Sequence, residues 1–129
     1  MAKRIREKAA KRIINKDNRP SAIAKFVRIS SSKVCIVMDL VRGKSYREAC
    51  AILENTPKAA SPLIKKVMDS AAANAENNLS LNKDKLFVAE CHADPGPTLK
   101  RMDIRARGRP NRLLLRTSHI TVVLDTIKE

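Results

Sequence analysis

Glu90-Cys91-His92 sets a carboxylate, a thiol and an imidazole at consecutive positions, the residue types from which a thiol nucleophile and its base are built. The spacing works against that chemistry. Residues 86–93, LFVAECHA, read as a strand, in which neighbours point to opposite faces, so Cys91 and His92 do not meet. A packed strand with a partly exposed His is the better reading. His119 stands between Ser118 and Ile120 with no acidic residue beside it, which suits a structural or RNA-facing imidazole. The three cysteines, Cys35, Cys50 and Cys91, form no CxxC pair and read as buried free thiols, so neither a disulfide framework nor a zinc site is expected. There is also no Gly-rich phosphate loop, no HExxH and no paired-carboxylate motif. The sequence therefore predicts no catalytic residue, no metal, no cofactor and no small-molecule substrate.

The basic residues point elsewhere. Residues 101–124, RMDIRARGRPNRLLLRTSHITVVL, repeat Arg at positions 105, 107, 109, 112 and 116, with Asp103 as the only acid. Guanidinium forks suit bidentate contacts to phosphate oxygens. Arg105, Arg107 and Arg109 alternate with Ala106 and Gly108, so in an extended chain the three point to one side and the small residues allow close backbone approach. Phe26, Tyr46 and Phe87 are scattered and offer no platform for stacking single-stranded bases. Backbone and shape contacts with a strong salt dependence are expected. The N-terminal KRIREKAAKR has the same sign and reads as either a basic helix or an arm that orders on binding.

A chain of 129 residues suits one modest core. Its 27 Lys plus Arg against 13 Asp plus Glu give a net charge of +14, a self-repulsion that an anionic partner would neutralise, with nucleic acid the leading candidate. No apolar run approaches the ~20 residues that span a bilayer, and no signal-type region follows the basic start, so a soluble cytoplasmic protein without a membrane partner is expected. The charge is uneven. Residues 1–28 carry ten basic and two acidic side chains, 29–94 nine and eight, and 95–129 eight and three, which predicts a near-neutral folded body with basic appendages.

Several elements must position these groups. Residues 30–45, SSSKVCIVMDLVRGKS, offer Ser hydroxyls as N-caps, an apolar stripe through Val34, Val37, Met38 and Val41, and Gly43 as a left-handed stop. Ser45 and Glu48 have capping-box spacing and start a second helix to about Glu54. A third, the longest, begins at Thr56-Pro57 or Ser61-Pro62 and runs through Ile64, Val67, Met68, Ala71 and Ala75. Residues 22–29, 86–93 and 118–124 read as strands, the last two continuing outward to a tip near Gly108. The fold class is α+β: three helices on a small three-stranded antiparallel sheet, with a protruding basic β-hairpin. A basic extension, residues 1–21, precedes a single domain, residues 22–129, whose hairpin covers about residues 95–120.

KFVRIS, VMDLVRGKS, TPKAASPLIKKVMDSAAANAENN, GPTLKRMDIRARGRPNR and RTSHITVVL, taken in order and spacing, resemble the bacterial large-subunit ribosomal proteins of the L-twenty-two family. The resemblance implies that the hairpin threads through large-subunit rRNA to the wall of the nascent-polypeptide exit tunnel and supports assembly. The implied partners are the rRNA, neighbouring large-subunit proteins and the nascent polypeptide. By position, it implies RNA contacts at Lys100, Arg101, Arg105, Arg107, Arg109 and Arg112 of the hairpin, and at Arg116, Thr117, Ser118 and His119 of its returning base. It also implies contacts at Arg28, Lys33, Arg42 and Lys44 of the body, and a tip at the tunnel made by Ala106, Arg107, Gly108, Arg109 and Pro110. Ser31, Ser32, Cys35, Asp103, Ile104, Pro110 and the three leucines at 113–115 depart from the residues usual at those positions. The other class compatible with the charge is a free-standing basic RNA-binding regulator.

Overall fold

The computed structural model describes residues 2–14 and 18–126; within the expected extension and domain, residues 1, 15–17 and 127–129 lie outside the described residues. The elements are α1 (Ala2–Ile14), β1 (Ser21–Val27), α2 (Ser31–Val41), α3 (Tyr46–Asn55), α4 (Ser61–Leu79), β2 (Leu86–Pro95), β3 (Leu99–Ile104), β4 (Pro110–Leu115) and β5 (Ser118–Thr126). The described residues thus hold four helices where three were expected. The addition is α1: the basic N-terminal segment, which its residues left open between helix and arm, is helical.

The local signals act as the sequence suggests where they depend on neighbours in the chain. Ser45 caps α3, its hydroxyl accepting from the Glu48 amide at 3.3 Å while the Ser45 amide donates back to the Glu48 carboxylate at 3.4 Å. Gly43 takes a φ of +75° after α2, and its amide donates to the Val88 carbonyl at 3.0 Å. The turn after α2 is thereby pinned to the edge of β2, where Ala89 is the extra residue of a bulge. The start of α4 differs from both expected caps. Thr56 is used at the end of α3, its hydroxyl donating to the Ile52 carbonyl at 2.7 Å, while Ala60 is the N-cap and Ser61 lies buried inside the first turn. Pro62 is accommodated there because first-turn amides have no intrahelical acceptor.

β5 lies between β1 and β2 in an antiparallel sheet of order β1-β5-β2. Its Ile120, Val122 and Leu124 alternate onto the helix-bearing face and are fully or almost fully buried. Above them pack Val34, Val37, Met38 and Val41 of α2 and Ala49 and Leu53 of α3, with Ile64, Val67 and Met68 of α4. The small side chains of Ala71, Ala72 and Ala75 let α4 lie close over β1 and β5. The sheet also takes in Ser21, paired with Val123, and the Leu124 amide donates to the Pro20 carbonyl at 2.9 Å.

β3 and β4 form a separate two-stranded ladder that continues β2 and β5 outward, with register from Leu99 opposite Leu115 to Ile104 opposite Pro110. Every side chain from 100 to 116 is exposed. Stability is therefore expected to reside in the body. Leu124→Ala should cost about 2–5 kcal/mol, whereas Leu113→Ala on the hairpin should stay within about 0.5 kcal/mol of the parent. Urea unfolding of the two variants checks this, and equal losses would contradict it.

Candidate nucleic-acid interface

The hairpin register sorts its side chains onto two faces, because directly opposed residues of an antiparallel pair share a face. Leu99, Leu115, Arg101, Leu113, Asp103 and Asn111 share one face, and Lys100, Leu114, Met102, Arg112, Ile104 and Pro110 the other. Each face therefore mixes cations with exposed apolar groups. Between residues 99 and 116 there are seven basic side chains and one acid, and that acid, Asp103, is paired with Arg105 at 3.1 Å.

The tip corrects the expectation that Arg105, Arg107 and Arg109 alternate along an extended strand. Pairing ends at Ile104 and Pro110, so residues 105–109 must reverse the chain. They do so through a single 3-10 turn, Ala106–Gly108, with Arg107 at φ 56° and Gly108 at φ 69°, closed by the Arg105 amide donating to the Arg109 carbonyl at 2.9 Å. Left-handed geometry at Arg107 is uphill for a residue with a Cβ, while Gly108 adopts it freely. The three arginines therefore surround the turn, and no single strand face carries all three. Gly108 is part of the apex, as expected.

At the other end, the hairpin is clamped to the sheet. The Gly96 amide donates to the Thr117 carbonyl at 2.9 Å, and the Thr117 hydroxyl donates to the Pro97 carbonyl at 2.7 Å. Gly96 is pressed so close that a Cβ there would lie 2.5 Å from Thr117 Oγ1 and 3.3 Å from the His119 ring. His119 in turn accepts the Phe26 amide on Nδ1 at 3.0 Å, with the Phe26 ring edge-on at a centroid distance of 4.8 Å. Phe26 carries the bulge of β1 at φ 58°, and the His119 acceptor gives its redirected amide a partner. Thr117 and Ser118, two of the expected contact residues, are buried: the Thr117 hydroxyl closes the base, while Ser118 joins it through its backbone pairing with Val27 and Pro95, its own hydroxyl having no hydrogen-bond partner among the described residues. The Pro95-Gly96-Pro97 run marks a constrained stretch in the sequence, but neither the strand against which Gly96 packs nor the part that Phe26 plays is visible there.

Of the body residues, Arg28 and Lys33 meet Arg116 around one open cleft of about 510 Å³ beside the hairpin base. Arg42 and Lys44 are not brought there. They follow the opposite end of the 11-residue α2, roughly 15 Å away along the helix at 1.5 Å per residue. Arg42 is held by Asp39 at 2.7 Å and by the Cys91 carbonyl at 2.9 Å, and Lys44 is exposed.

The cysteines and His92 support no nucleophile. Cys91 is buried, its thiol donating to the Met38 carbonyl at 3.6 Å, and burial pushes its pKa up, as it does for Cys50. His92 projects from the opposite side of the strand, exposed, 3.8 Å from Asp94. Cys35 and Cys50 are only partly buried, where full burial was expected. Among the described residues, no three His, Cys, Asp or Glu side chains are grouped to hold a metal, and no helix is long and apolar enough to cross a membrane.

Comparison with known sequences gives a match over residues 22–125 to the family described as Ribosomal protein L22p/L17e. The chain is 53% identical over 110 residues to "Large ribosomal subunit protein uL22" of Lachnospira eligens, covering 85% of this chain and 86% of the relative. It is 55% identical over 108 residues to the protein of the same name from Pelotomaculum thermopropionicum, covering 84% and 96%. For the Acetivibrio thermocellus protein of that name the figures are 57% over 103 residues, 80% and 82%.

The clamp yields a sharp expectation. Gly96→Ala should destabilise by about 1–3 kcal/mol through overpacking against Thr117. Because Thr117→Ala removes the clashing hydroxyl, adding it to G96A should cost less than T117A costs alone. A thermal-unfolding double-mutant cycle reads the coupling; strictly additive losses would mean that the close approach is not what makes Gly necessary.

Proposed function

The chain belongs to the ribosomal protein L22p/L17e family and is a structural constituent of the large ribosomal subunit, not an enzyme; from that premise we propose that its hairpin is threaded through folded large-subunit rRNA, with the tip, residues 106–110, at the wall of the nascent-polypeptide exit tunnel. The observation that supports this reading is the exposed hairpin itself. It has no core, seven basic side chains and one acid, and a built clamp at its base. A lone two-stranded ladder is marginal in water. Enclosure by phosphates supplies both the counter-charge and the missing walls.

In this proposal Lys100, Arg101, Arg105, Arg107, Arg109 and Arg112 meet rRNA along the hairpin, with Arg28, Lys33 and Arg116 at its root and Arg42 and Lys44 on the body. Thr117, Ser118 and His119 act by holding the base. The mixed faces suit RNA, since the arginines take phosphates while Met102, Ile104 and Leu113 cover sugar and base edges. Neighbouring large-subunit proteins and the nascent polypeptide are the further partners, and the place of work is the cytoplasm, on the ribosome.

The protein should co-sediment with large subunits at moderate salt; a chain found free in the lysate would favour a separate RNA-binding regulator. Replacing Arg105, Arg107 and Arg109 together by Gln should weaken rRNA binding and flatten the slope of log affinity against log salt by about two to three units, at roughly 0.7–0.9 per lost phosphate contact. An unchanged slope would mean that these side chains do not meet phosphate.

A further inference from the structure

The cleft at the root of the hairpin brings three cations and an apolar wall together in one concave place. Arg28, Lys33 and Arg116 rim it, and Ile29 with residues 114–115 forms its wall, with no acidic residue in the lining; because Leu114 and Leu115 point to opposite hairpin faces, one of them offers its side chain to the cleft and the other its backbone. Leu114 and Leu115 remain 42% and 39% exposed, so the wall is open to an incoming group. Its volume of about 510 Å³ falls within the ~300–1,000 Å³ typical of sites for small molecules. The hollow continues along α2 into a second one of about 350 Å³, lined by Ile36 and Val37 and flanked by Lys58.

Resting on the reading of the protein as an rRNA-binding constituent, we propose that this cleft receives a single unpaired nucleotide of the large-subunit rRNA, its base against Ile29 and the wall made by residues 114–115 and its flanking phosphates between Arg28, Lys33 and Arg116. A continuous duplex presents a convex row of phosphates, which would reach the cationic rim and leave the concave apolar wall in water. A base turned out of its stack fills that wall while keeping its phosphates at the rim, and unstacked bases are what proteins read most readily in RNA. The guanidinium planes of Arg28 and Arg116 add stacking surfaces that the absence of a local aromatic would otherwise deny. An apolar protein segment would use the wall and leave the three cations unmatched.

Ultraviolet zero-length crosslinking of native large subunits, with peptides and nucleotides identified by mass spectrometry, tests this. The expected adduct joins a peptide from 28–33 or 113–116 to one nucleotide. That nucleotide should resist dimethyl sulfate in subunits carrying the parent protein and react about tenfold more when Leu114→Ser and Leu115→Ser together weaken the base contact. Arg28→Gln, Lys33→Gln and Arg116→Gln, made together, should flatten the salt slope by about one to two units. Because all five positions are exposed or half-buried on the surface, unfolding curves of the variants should overlay the parent. Adducts at the tip with none at the cleft would overturn this inference and leave the proposed function standing. An adduct to a peptide of another subunit protein would assign the cleft to that protein. Absence of the chain from large subunits would overturn both readings.

Discussion

Within three residues on one strand and two on the other, the chain passes from a sheet whose central strand is buried to a ladder whose side chains are almost all in water. Everything outward of Gly96 and Thr117 depends on that junction. A two-stranded ladder with no covered face has little to hold it flat, so its direction must be set where it leaves the body. The close approach of Gly96 to Thr117, the buried hydroxyl bond to Pro97 and the lock of His119 onto the β1 bulge set it there. The bulge of β1 thereby takes part in aiming the hairpin.

The same division of labour runs through the charge. The segment that builds most of the core, residues 29–94, is nearly neutral, with nine basic and eight acidic side chains, and several of these pair across the surface, as Lys65 does with Glu54 and Lys83 with Glu76. On the C-terminal side the excess is left to the hairpin, residues 99–116, none of which is in the buried core, while the core strand β5 carries only Asp125 as a charged residue. A near-neutral body and a strongly basic appendage thus coexist in 129 residues.

What was legible in the sequence was local. The Ser45–Glu48 capping box, Gly43 after α2 and the apolar stripes of α2 and α4 are decided within a few residues, and they appear where the sequence puts them. The start of α4 was ambiguous because Thr56 and Ser61 are equally good caps in isolation, and neither is used: Thr56 is bonded back to Ile52 once α3 exists, and Ser61 is buried in the first turn after Ala60. The alternation of Arg105, Arg107 and Arg109 misled because strand geometry was assumed up to the tip, whereas the pairing of Ile104 with Pro110 ends the ladder before it. Thr117 and Ser118 are polar residues in a basic run, and only the folded junction reveals that they face inward. The basic N-terminal segment was left open between helix and arm; it is helix α1, whose side chains 3–11 are exposed.

The central claim is that the hairpin is directed by its base but stabilised only by the RNA that surrounds it. Amide hydrogen exchange, compared between the free protein and the protein within intact large subunits, measures this most directly. Amides of residues 99–115 are expected to exchange far faster than those of β5 in the free protein and to become strongly protected in the subunit. Protection of 99–115 equal to that of β5 in the free protein, or no gain of protection in the subunit, would contradict it.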